Sequence, residues 1–176
     1  MKMRSTLVTA ALLCLAITLP GSNALAQQKQ QVSFKVPAEN IKYIVSQNVE
    51  VGDTPNHIVR LFEVQARLPN NTPAINGLKP VELWQRGVGE LTEGNGSSAP
   101  YFIFVMENGD RFFVRNVNVI QNVSGKISAT TAGRITGGTG RLAGIEGYVR
   151  GVQIFDPRPG GSLGDGQYEV EYSIGK

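Results

Sequence analysis

Few side chains in this 176-residue chain are equipped for chemistry. There is one histidine, His57, so neither a catalytic triad nor a multi-histidine metal site can be assembled around it. The one cysteine is Cys14. The carboxylate with the most informative setting is Glu63, within Leu61-Phe62-Glu63-Val64-Gln65. On a strand, Val59, Leu61, Glu63 and Gln65 share one face, and Ile58, Arg60, Phe62 and Val64 share the other. If the Glu63 face looks inward, a carboxylate in an apolar interior is a candidate general acid or base. If the alternation is inverted, Glu63 faces water and pairs with an arginine. A further string, Gly138-Thr139-Gly140-Arg141-Leu142-Ala143, has the G-x-G-x-x-A spacing of a dinucleotide fingerprint. That fingerprint needs a helix N-terminus behind it, whereas Gly147 to Phe155 reads as a strand. The expectation is a glycine-dense bend between strands, and no cofactor or metal.

The ends and the charge set the frame. Lys2 and Arg4, an apolar run from Thr6 to Pro20, and Ala24-Leu25-Ala26 together read as a secretory signal over residues 1–26. The run is shorter than the ~20 residues of a membrane-crossing helix, so the processed chain is expected to be exported to the periplasm or beyond, without membrane insertion. Cys14 departs with the signal, leaving no disulfide or thiolate. Loss of Lys2 and Arg4 reduces the formal +3 by two, and no clustered cationic stripe marks a nucleic-acid surface.

The elements that must position these residues are strands. After a lead-in at 27–37, expected to be flexible, the domain at 38–176 alternates short Val-, Ile-, Phe- and Tyr-rich stretches with Gly, Asn, Asp and Pro. Eight strands are predicted, at 41–51, 57–66, 81–91, 101–107, 111–123, 126–136, 147–155 and 167–174. Asn95-Gly96, Asn108-Gly109 and Ser124-Gly125 supply hairpin turns between antiparallel neighbours. The expected fold is all-β, a closed eight-stranded antiparallel barrel, with a two-sheet sandwich as the alternative. In the last strand Tyr168, Val170, Tyr172 and Ile174 alternate with polar residues, which places both tyrosines inside. The stretch from Tyr101 to Met106 is apolar on both faces, which predicts cover by a loop or by a second subunit.

The string Ile135-Thr136-Gly137-Gly138-x-Gly140-x-x-x-Gly144-x-x-Gly147-x-Val149, continuing to Pro157, resembles the strand-bend-strand signature of the allene oxide cyclase and dirigent barrel superfamily. Leu61 to Gln65, the hairpin from Tyr101 to Val119, and the closing strand through Tyr168 and Tyr172 fall where that family has strands. The resemblance implies a closed eight-stranded barrel with a largely apolar cavity, assembled as a homo-oligomer (dimer or trimer). It also implies that Glu63 occupies the position of the plant cyclases' glutamate. Gln65 then stands where those enzymes hold a water with an asparagine, and Thr72-Pro73 lies near their Ser-Pro pair. Three functions follow as expectations. The barrel binds a small apolar molecule in its lumen, lined by Val59, Leu61, Pro73, Tyr168 and Tyr172. Or it is a cofactor-free cyclase or isomerase using Glu63 and Gln65. Or it is a filled structural or protein-interaction barrel with no ligand.

Overall fold

A computed structural model describes residues 28–156, 158 and 161–175. The expected signal segment lies outside these residues. Nine strands run in chain order: β1 (Gln30–Val36), β2 (Ile41–Glu50), β3 (His57–Arg67), β4 (Pro80–Thr92), β5 (Asn95–Met106), β6 (Arg111–Val123), β7 (Lys126–Gly138), β8 (Ile145–Phe155) and β9 (Leu163–Ile174). All pairings are antiparallel, in the order β1-β9-β8-β7-β6-β5-β4-β3-β2.

The all-β expectation holds, but the count and the closure do not. The ninth strand comes from the segment expected to be a flexible lead-in. Val32, Phe34 and Val36 alternate with Gln31, Ser33 and Lys35 at the two-residue period of a half-buried strand. Phe34 and Val36 are buried, with Phe34 opposite Tyr168. Pro37 ends β1, because it offers no N–H to continue a ladder. Closure fails for a reason of parity. In an antiparallel order of nine, the edge strands β1 and β2 run the same way. The link between them, 37–40, is far shorter than the dozen or more residues that parallel pairing requires. The sheet therefore curls without joining its hydrogen-bonded edges. Across the gap β2 lies against β9, and the Tyr43 hydroxyl donates to the Asp156 carbonyl at 3.4 Å.

Local chemistry accounts for the turns. The hairpin expected at Asn95-Gly96 lies two residues earlier, at Glu93 (φ 52°) and Gly94 (φ 77°), the left-handed pair of a tight primed turn. Ser124 and Gly125 (φ 53° and 83°) make the β6–β7 turn at the expected place. The glycine string from 137 onward is a bend, as expected. A single 3-10 turn, Gly140–Leu142, leads straight into β8. At Gly140 (φ 52°) a Cβ would sit 2.0 Å from the Asp110 carboxylate, which accepts the Arg141 N–H. Two other glycines face the inward tyrosines of β9 across the ladder, Gly147 opposite Tyr172 and Gly151 opposite Tyr168. A Cβ at Gly151 would meet the Tyr168 ring at 2.5 Å.

The enclosed space has two unlike ends. Toward the chain termini it is solid. Phe104 stacks on Phe112 with ring centroids 4.4 Å apart, and Phe34 meets Phe104 edge-on. The 67–80 connection plugs this end with Leu68, Ile75 and Leu78. Toward the β2–β3, β4–β5, β6–β7 and β8–β9 turns, a separate small cluster of Leu91, Ile120 and Ala129 is joined by Ile58, Ile127 and Phe155. Between the two ends lies a band of buried polar side chains.

Candidate functional site

Burial settles the orientation of β3. Arg60, Phe62, Val64 and Ala66 are buried, while Val59 and Leu61 are 42% and 49% exposed. The face carrying Glu63 is the outer one. The Glu63 carboxylate accepts the Arg86 Nε–H at 2.7 Å, and Gln65 donates to Glu82 at 3.3 Å. Glu63 and Gln65 are thus surface groups, and Val59 and Leu61 do not line an interior. The physical reason is that both faces of this strand carry bulky apolar residues. Pairing, rather than pattern, selects the face, and a one-residue inversion moves every side chain across. Pro73 is exposed on the plugging loop at the opposite end from the open mouth.

Tyr168 and Tyr172 are inside, as expected, but neither lines the spaces at the turn end. Tyr172 accepts the Asn76 N–H at 2.8 Å and donates to Gln30 at 2.6 Å, tying the plug to β9 and β1. Tyr168 is locked in a triangle. Gln85 donates to the Tyr168 hydroxyl at 3.0 Å, Tyr168 donates to Gln153 Oε1 at 3.1 Å, and Gln85 also donates to Gln153 Oε1 at 3.2 Å. Burial drives the Tyr168 hydroxyl far above the ordinary phenol range, so it stays protonated.

The strands place a second polar set beside this triangle. Ser98, Asn118 and Thr131 are register partners on β5, β6 and β7. Thr131 donates to Asn118 at 2.8 Å, and Asn118 donates to Ser98 at 3.0 Å. Together with Arg60, Gln85 and Gln153, these side chains line an inner cavity of about 40 Å³. That is room for a few water-sized groups. Beyond Phe155, which borders both spaces, an open mouth of about 440 Å³ is lined by Ile58, Leu91 and Ile127 together with asparagines and charged side chains, Glu50, Glu93 and Arg158 among them.

Arg60 is the singular member of the set. It is 3% exposed and is the only buried charged side chain among the described residues. Its guanidinium lies 5.3–5.6 Å from the ring centres of Phe62, Tyr43 and Phe155. Among the described residues it donates a long hydrogen bond, 3.4 Å, to the Ser46 hydroxyl, and the Tyr43 hydroxyl is a second polar neighbour. No carboxylate of the described residues reaches it within ion-pair distance. Asp156 is the acid in electrostatic reach, and it is held by Arg158, the main cause of its depressed carboxyl pKa. Two buried donors at the cavity, Arg60 Nε and Gln153 Nε2, have no protein acceptor. Sequence reasoning passed over this set. The available signal was a cation alternating with Ile58, Phe62 and Val64 on a strand face, and amides alternating with apolar residues at Val114-Asn116-Asn118-Ile120.

No protein-family model and no curated protein matches the chain. Among solved structures it is similar to a pterocarpan synthase dirigent protein, at 11% identity over 98% of this chain and 100% of that chain, with a TM-score of 0.47. A likeness so distant concerns the course of the strands alone and says nothing of activity.

Proposed function

We propose that this is an exported binding protein that holds a small, largely apolar molecule at its open end. The observation that carries the reading is the asymmetry of the interior. One end is filled with stacked aromatics and a loop plug, while the other is a mouth of about 440 Å³ in which an apolar patch of Ile58, Leu91, Ile127 and Phe155 is ringed by polar and charged side chains, over a polar floor. A concavity that joins an apolar patch to converging polar groups is the usual form of a small-molecule site. Binding is favoured over catalysis because the described side chains that floor the mouth are amides, hydroxyls and a guanidinium. None of these changes charge near neutral pH to act as an acid or base. The cyclase reading needed Glu63 inside, and Glu63 is engaged with Arg86 outside. Export is supported by the pattern of residues 1–26, and the processed chain is expected to begin at Gln27.

A second copy of the chain is the partner we propose for the outer face. Leu61, Val88 and Ala99 are register partners on β3, β4 and β5, and the row continues through Val117 and Ala132. Val88 and Val117 are 53% and 60% exposed, so no loop of the described chain covers them.

Native mass spectrometry of protein purified from its own host tests the binding reading. The expected result is a non-covalent mass above the polypeptide that is lost on denaturation. Bare polypeptide, together with failure of any apolar dye to bind the purified protein, contradicts it.

A further inference from the structure

We infer that the molecule taken at the open end carries an anionic head (a carboxylate, sulfonate or phosphate) seated against Arg60 and Gln153, with its apolar body in the mouth. The inference deepens the binding reading above and rests on it. A guanidinium buried without a carboxylate in ion-pair contact is costly, and buried charges are as a rule paired. Here the rings of Tyr43, Phe62 and Phe155 lie around the cation and the Tyr43 and Ser46 hydroxyls lie beside it, but its Nε–H has no acceptor among the described residues.

The orientation of Gln153 points the same way. Its Oε1 accepts two bonds, from Gln85 and from Tyr168, which fixes the amide so that Nε2 is the free end. Both unpartnered atoms at this cavity are therefore donors, and what satisfies two converging donors beside a positive charge is an acceptor bearing negative charge. The inner cavity, at about 40 Å³, suits a head of a few atoms and nothing larger. The rim of the mouth carries Glu50, Glu93 and Asp156 against Arg158. Glu50 and Glu93 lie at the solvent edge, where salt screens them within ~8 Å, and the partly buried Asp156, which acts on Arg60 through space, is engaged by Arg158. Arg60, at depth, is not screened.

A matched pair of dyes tests this. 8-Anilinonaphthalene-1-sulfonate and N-phenyl-1-naphthylamine share an apolar body and differ in the sulfonate. Fluorescence titration of the processed protein is expected to give a Kd about tenfold or more lower for the sulfonate, as charge-assisted hydrogen bonds imply. In Arg60→Met that preference is expected to vanish while the neutral dye still binds. The variant should also melt at or above the wild-type temperature, because an uncompensated buried charge has been removed. Arg60→Lys, which keeps the charge but loses Nε, should retain part of the preference and serves if the methionine variant does not fold. Equal affinity for the two dyes in the wild type, or an unchanged sulfonate Kd in either variant, overturns the inference and leaves the mouth reading standing. A lower melting temperature for Arg60→Met with unchanged dye binding makes Arg60 a structural residue. If neither dye binds, the mouth reading falls and takes this inference with it.

Discussion

The two ends of the enclosed space are built from the same nine strands and the same inward–outward alternation, yet they are filled by opposite rules. At the terminal end the inward strand positions are apolar, Phe34, Phe104, Met106 and Phe112 among them, and the 67–80 loop folds in with Leu68, Ile75 and Leu78. At the turn end the inward positions of β3, β4, β5, β6, β7 and β8 include Arg60, Gln85, Ser98, Asn118, Thr131 and Gln153. The difference teaches where stability and function separate in a small β domain. Packed rings hold the sheet curled, and that rigidity lets the far end keep a polar floor with unpartnered donors. A buried polar layer of this kind is tolerable only on a scaffold that does not depend on it.

The strongest way to break the comparison is to attack the solid end. Phe104→Ala removes a fully buried ring stacked on Phe112 and should cost about 3–5 kcal/mol of unfolding free energy. Urea denaturation measures the loss, and N-phenyl-1-naphthylamine affinity of the folded fraction should not change. Next is the boundary between the ends. In Gly151→Ala the new methyl collides with the Tyr168 ring, so the Gln85–Tyr168–Gln153 triangle must shift. Overpacking of this sort costs about 1–3 kcal/mol, and near-ultraviolet circular dichroism should report the moved tyrosine. Unlike Phe104→Ala, this change should also alter dye binding.

A smaller effect sharpens the contrast between inside and outside. Glu63→Gln breaks a solvent-exposed pair with Arg86 and should change stability by less than about 1 kcal/mol, with dye affinity untouched. A large loss of binding would return Glu63 to the site. The smallest effect belongs to the turn end's rim, where His57 lies 2.5 Å from Asp53 and 2.9 Å from Glu90. The Asp53 hydrogen bond, then the Glu90 one, raises the imidazole pKa above its ordinary 6.5. A raised folded value means the contribution is complete below pH 6.5 and disappears as pH climbs through that higher value. Melting temperature should therefore fall with pH across that interval more in the wild type than in His57→Gln, and less so in high salt.

What could be read from the residues divides along the same line. Strand positions from β2 to β9 and the Asn108-Gly109 and Ser124-Gly125 turns were legible because alternation and left-handed turn residues are local signals. Strand β1 was obscured by the glutamines before it, although Val32, Phe34 and Val36 keep the period of two. The inward tyrosines were visible because β9 is polar on its other face. The inward face of β3 was not, because Val59 and Leu61 compete with Phe62 and Val64 for the same role, and only the ladder with β4 decides. Arg60 was hidden by that ambiguity. The open edge depends on chain parity and on a four-residue link, which no single segment displays.

The central claim, that one end is scaffold and the other is site, is tested most directly by amide chemical-shift mapping while N-phenyl-1-naphthylamine is added to isotope-labelled protein. The account predicts shifts at Ile58, Leu91, Ile127 and Phe155, with Phe104, Phe112 and Ile145 unmoved. Shifts concentrated on the Phe104–Phe112 end, or on the outer row of Leu61 and Val88, would contradict it.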